Sequence, residues 1–126
     1  MQKAIKPTES ELEILQVLWQ KNEATVREVH DELSKNRDIC YTTALKLLQI
    51  MFEKGLVTRD DSSKTHIYMP AVTREKTQKQ LVGKMIHTLF SGSSTELVMQ
   101  ALGNQKTSKE ELDEIQKMLD NLRKEK

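Results

Sequence analysis

The sequence predicts a mainly α fold with a small β-hairpin, and three observations carry that expectation. Between Ala44 and Phe52 the apolar residues Ala44, Leu47, Leu48, Met51 and Phe52 fall at the i, i+3, i+4, i+7, i+8 spacing of a helix with one buried face. Gly55 follows, where a helix exit favours the left-handed conformation that glycine adopts without a Cβ penalty. Leu56–Arg59 and Thr65–Tyr68 are β-prone runs joined by the turn formers Asp60, Asp61, Ser62 and Ser63, so they pair as a hairpin. Two helical patterns precede this block, and the order helix, helix, helix, strand, strand is that of a winged helix-turn-helix. The predicted organisation is a winged helix-turn-helix domain over residues 1–72 followed by a helical dimerisation domain over 73–126.

Taken in order, the first helix is announced by Thr8 and Glu11, whose spacing lets the Thr8 hydroxyl accept from the Glu11 N–H while the Glu11 carboxylate reaches back. Its inward residues are expected to be Leu12, Leu15, Leu18 and Trp19, widened by Ile14 and Val17, with Asn22 as the exit. Thr25 and Glu28 repeat the capping spacing and open a shorter helix with Val26, Val29 and Leu33 on one side; polar Ser34–Asp38 ends it. The third helix turns Thr42, Lys46, Gln49 and Glu53 outward.

From Thr73 the texture changes. Leu81, Val82, Met85, Ile86, Leu89 and Phe90 mark a long fourth helix with Gly83 a weak point near its middle, broken by Ser91, Gly92 and Ser93. Ser93 and Glu96 cap a short fifth helix through Leu97, Val98, Ala101 and Leu102, ended by Gly103. Ser108 and Glu111 cap a sixth, whose Leu112, Ile115, Leu119 and Leu122 form a narrow seam of the kind that packs against a partner helix. The expected dimerisation residues are therefore Leu81, Met85, Leu89, Leu97, Leu112, Ile115, Leu119 and Leu122.

Composition narrows the function classes. With 37% hydrophobic and 31% charged residues, four Gly and two Pro, the chain has the balance of a loop-poor helical globule rather than a disordered segment. No apolar run approaches the roughly 18 residues a spanning helix needs, and MQKAIKPTES lacks the apolar core of a signal peptide. A cytoplasmic protein without direct membrane insertion is expected. The single cysteine, Cys40, excludes an internal disulfide framework and a multi-thiolate metal site. A net charge of +1 provides no general basic field, so any attraction for nucleic acid must be local.

A recognition helix enters the major groove and sets its exposed N-terminal residues against base edges and phosphates. Tyr41, Thr42, Thr43, Lys46 and Gln49 hold that position here, although an ordinary solvated face has the same pattern. The hairpin favours the binding reading: Lys64 at its turn, beside Ser62, Ser63, Thr65 and His66, suits a phosphate or the minor groove, with Lys35, Arg37 and Lys54 flanking and Asp60 and Asp61 opposing. Cys40, before the third helix and near Arg37, is read as a small buried apolar residue, with a redox-sensing thiolate as the lesser alternative. His30, His66 and His87 come from separate elements without paired metal-ligand spacing, and no HExxH, P-loop, GxSxG or GxGxxG string occurs, so neither metal, cofactor nor enzyme activity is expected. The rival reading is a protein-interaction module, in which the winged helix docks another protein and the tail oligomerises.

The runs TESELEILQVLW, YTTALKLLQIMFEKGLV and KTHIYMP, together with ELVMQALGNQKTSKEELDEIQKMLDNL, resemble the BlaI/MecI/CopY family of bacterial penicillinase and methicillin-resistance repressors and their copper-responsive relatives. The resemblance implies a homodimer that binds a dyad-symmetric double-stranded DNA operator and blocks transcription. It also implies relief by a membrane sensor protease that responds to β-lactams and cuts the dimerisation region; by position the cut bond maps to Gln100–Ala101, which matches neither residue of the staphylococcal Asn–Phe bond. Lys46 and Ile50 stand where members often carry threonine and a basic residue, and the C-terminal cysteine pairs of the copper-responsive members are absent.

Overall fold

The computed structural model describes residues 6–125, so the start of the N-terminal stretch read above for a signal peptide lies outside the described residues. The chain forms two compact units, one ending at Leu81 and one beginning at Val82. The first contains α1 (Glu9–Lys21), β1 (Ala24–Thr25), α2 (Val26–Ser34), α3 (Tyr41–Lys54), β2 (Val57–Asp60) and β3 (Ile67–Pro70). The helix α4 (Arg74–Leu89) carries the chain into the second, which adds α5 (Ser94–Asn104) and α6 (Lys109–Lys124).

Local chemistry sets the boundaries. The Thr8–Glu11, Thr25–Glu28 and Ser108–Glu111 pairs each form the reciprocal capping box, satisfying backbone N–H groups that a helix start leaves without partners. Ser93 accepts from the Glu96 N–H at the start of α5. Gly55 ends α3 in the left-handed region at φ 83°, and its N–H and that of Leu56 close onto Phe52 and Met51 carbonyls. Asn22 leaves α1 at φ 74°. Gly103 does not end α5, which runs one residue further to Asn104; without a positive φ at that position, the glycine is simply accommodated in the last turn.

The hairpin acquires a third strand. β1 pairs antiparallel with β3 through Ala24 opposite Tyr68 and Thr25 opposite Ile67, giving the order β1-β3-β2. β2 and β3 pair from Val57 opposite Pro70 to Asp60 opposite Ile67, so both strands begin later than their β-prone runs suggested and the loop between them is longer.

The core of the first unit joins Ile14, Leu15 and Leu18 of α1, Val26, Val29 and Leu33 of α2, Ala44, Leu48 and Met51 of α3, and Leu56, Val57 and Tyr68 of the sheet region. One inward assignment, Phe52, is corrected, and two others pack at the core's edge. Leu12 and Trp19 are half-buried, because the core stripe of α1 is centred on Ile14, Leu15 and Leu18 instead. The Trp19 indole N–H donates to the Val72 carbonyl at 2.9 Å, which fixes the ring at the edge of the unit. Phe52 is exposed, its ring covered by the Arg59 guanidinium 4.1 Å from the centroid; Leu45 takes up packing on α3 that the periodicity had not assigned.

Candidate nucleic-acid interface

His30 bridges α2 and the start of α3. Its Nε2 is 2.7 Å from the Ile39 carbonyl, tying α2 to the segment leading into α3, and its ring meets Tyr41 edge-on with centroids 5.9 Å apart. Tyr41 is thereby held at the first turn of α3, with the Arg27 guanidinium 6.0 Å from its ring.

The expected contact residues divide between two surfaces. Tyr41, Gln49, Lys64, Thr65 and His66 line one groove of about 540 Å³ between α3, the start of α2 and the hairpin, together with Thr25 and Arg27. Thr42, Thr43 and Lys46 lie on the outer side of α3, around a shallower concavity with Leu47 and Ile50. Thr25, at the end of β1, and Arg27, in the first turn of α2, were not among the expected residues because they lie outside the third helix and the hairpin. The available signal was Arg27 itself, an exposed cation in the first turn of a helix whose N-terminal N–H groups favour anions.

The local charge differs from the simple expectation. Among the described residues, Lys46 and Lys64 are exposed and make no ion pair, whereas the three proposed flanking cations are engaged. Lys35 pairs with Glu32 at 2.9 Å and Arg37 with Glu13 at 3.0 Å. Lys54 meets the buried Glu11 of α1 at 2.9 Å, so it braces the fold. On the hairpin, the Asp60 carboxylate accepts the Ser62 N–H at 3.0 Å, and this hydrogen bond holds its pKa below the usual carboxylate value. Asp61 lies 3.7 Å from Arg59. The two carboxylates thus have partners within the hairpin, while Lys64 near its tip has no ion-pair partner among the described residues. Cys40 is exposed at the N-cap of α3, which corrects the buried reading, and its side chain makes no cap hydrogen bond.

Of the expected seam residues, Leu81 at the end of the first unit and Leu97 and Ile115 in the second are half-buried, while Met85, Leu89, Leu112, Leu119 and Leu122 of the second unit are exposed. Val82, Val98, Met99, Leu102 and Met118 extend the exposed apolar surface beyond those eight. Gln100 and Ala101 are exposed within α5. Among the described residues, no helix is long and apolar enough to cross a membrane.

A sequence profile of the penicillinase repressor family matches residues 7–121. The transcriptional regulator BlaI of Mycobacterium tuberculosis is 35% identical over 77 residues, 60% of this chain and 56% of that protein, so the match spans little more than half of its length. The penicillinase repressor of Bacillus licheniformis is 23% identical over 95% of this chain and 94% of its own. Among solved structures, the DNA-binding domain of the repressor BlaI superposes with a TM-score of 0.52 at 26% identity, covering 59% of this chain and 90% of that one. Monomeric B. licheniformis BlaI in complex with the blaP half-operator gives 0.50 at 25%, covering 60% and 92%. The chain belongs to the penicillinase repressor family, a family of transcriptional repressors rather than enzymes.

Proposed function

We propose that this protein is a homodimeric repressor that sets α3 in the major groove of a dyad-symmetric operator and the hairpin tip on the flanking backbone. The observation that carries the reading is the groove shared by the first turns of α3 and by Lys64, Thr65 and His66, with Lys46 and Lys64 free of carboxylate partners among the described residues. A free ammonium can exchange a condensed counterion for a phosphate; one already paired with a carboxylate must first give that partner up. The half-operator complex of B. licheniformis BlaI supports a duplex as the partner.

Dimerisation is supported by the second unit, where no described residue from Val82 onward is buried although Met85, Leu89, Val98, Met99, Leu102, Leu112, Leu119 and Leu122 are exposed. An ordered helical unit without an interior needs a cover for its apolar faces, and a second copy offers the same seam in self-complementary form. Selection of genomic fragments by the full chain tests the reading. Dyad-symmetric sites are expected, with log affinity falling by about 0.9 per phosphate contact for each tenfold rise in salt. Recovery of no salt-sensitive duplex contradicts it.

Relief of repression is proposed to act on α5. This helix is short and exposed and has no buried residue, so it opens locally at low cost and yields the extended strand a protease requires. Cutting between Gln100 and Ala101 would detach α6 and leave every α3 residue intact. Mass spectrometry of the protein from cells challenged with a β-lactam is expected to find the two fragments; an intact chain with its target genes induced excludes cleavage as the switch.

A further inference from the structure

The outer face of α3 is not uniformly polar. Ile50 is half-exposed and, unlike Leu45 and Leu47 of the same helix, does not pack against the buried core. It lines the shallow concavity of about 250 Å³ with Thr42, Thr43, Lys46 and Leu47. Thr43, Leu47 and Ile50 follow the i, i+4, i+7 spacing, so they form one stripe beside Lys46. A β-branched side chain is stiff about χ1 and therefore presents a fixed methyl surface rather than an adaptable one.

The group this surface fits is a small apolar one displayed among hydrogen-bonding partners. On a duplex that group is the C5-methyl of a pyrimidine, which projects into the major groove beside the acceptors and donors of neighbouring bases. Four residues along a helix advance about 6 Å. Base pairs are stacked about 3.4 Å apart, so Ile50 meets the groove within about two base pairs of the edge that Lys46 reaches. We propose that Ile50, backed by Leu47 and the Thr43 methyl, is a specificity-determining contact for a thymine methyl group. This rests on the reading that α3 enters the major groove.

The test uses the full chain and a duplex it selects from a random library. Replacing each thymine in turn by deoxyuridine removes only the methyl group, and replacing each cytosine by 5-methylcytosine adds one. Binding by the unmodified chain is expected to weaken about fourfold at one thymine per half-site, the change that about 0.8 kcal/mol for one buried methylene-sized group implies. Ile50→Ala is expected to bind the thymine and uracil duplexes alike, and Ile50→Val to retain most of the distinction. A cytosine whose methylation strengthens binding, lost in Ile50→Ala, supports the same methyl contact with a modified base as its source. The scan on the unmodified chain does not depend on any variant folding, and a scan with no methyl-sensitive position overturns the inference while leaving duplex binding intact. A library that yields no bound duplex overturns the groove-entry reading itself.

Discussion

Lys54 donates to both carboxylate oxygens of the buried Glu11 at 2.9 Å, linking the last turn of α3 to the first turn of α1. The same carboxylate accepts the Thr8 N–H at 2.8 Å, so one side chain closes the cap of α1 and anchors the end of α3.

Breaking a buried pair from one side leaves an uncompensated charge, at a cost of about 3–5 kcal/mol when both groups are enclosed. The Lys54 side chain is 39% exposed, so solvent reaches the pair. Lys54→Met is therefore expected to destabilise the first unit by only about 1–3 kcal/mol. Removing both charges in Glu11→Gln, Lys54→Met should cost less than Lys54→Met alone. Urea denaturation of the unmodified chain, the two single variants and the double variant checks this, and additive losses contradict it.

The pH dependence has a definite sign. Burial acts to raise the Glu11 pKa, but the hydrogen bond from the Thr8 N–H and the Lys54 ammonium outweigh it, leaving the pKa below its ordinary 4.5. The unfolded chain then takes up the proton first as pH falls, so this contribution to stability is complete well above pH 4.5 and is lost on descending through the lower folded value. Denaturation midpoints measured from pH 6 to pH 3 should fall less steeply for Glu11→Gln than for the unmodified chain.

Much of the first unit was legible because short-range chemistry announces itself. Thr8 with Glu11 and Thr25 with Glu28 specify helix starts within four residues, Gly55 specifies an end, and Val26, Val29 and Leu33 specify a face. What escaped depends on distant partners. A two-residue β1 has no periodicity to read and exists only because Tyr68 and Ile67 of β3 offer it a ladder. Phe52 fits the apolar stripe but lies outside the core, where the Arg59 guanidinium from the next strand sits over its ring. Arg37 and Lys54 looked available for phosphate until Glu13 and Glu11 came beside them from α1. The groove shared by Tyr41, Arg27 and Lys64 has the same character, since it draws on three elements separated in sequence.

Lys46 and Lys64 are expected to separate in function. Lys46→Ala removes a donor from the outer face of α3 and should weaken the preferred site by about 1–3 kcal/mol while altering its sequence preference. Lys64→Ala should weaken preferred and unrelated duplexes alike and reduce the salt slope by about one. Competition binding against a randomised duplex pool measures both; an unchanged preference after Lys46→Ala assigns that residue to the backbone.

Removing residues from Ser108 onward deletes Leu112, Leu119 and Leu122, each about half-exposed in the single chain. Each such side chain contributes about 1.5–3 kcal/mol when fully buried. The truncated chain is expected to sediment as a monomer at micromolar concentration while its first unit keeps the unmodified unfolding midpoint, because the residues of that core all precede the cut. A truncated chain that stays dimeric transfers the interface to α4 and α5.

The most direct measurement is the number of chains bound to a selected full site and to one of its halves, by sedimentation at fixed salt. Tethering two half-site contacts through one dimer raises overall affinity by about 10²- to 10⁴-fold over a single contact. Two chains on every full site, with the isolated half bound at least about a hundredfold more weakly, is the predicted result. One chain per full site, with equal affinity for the half, would contradict the account.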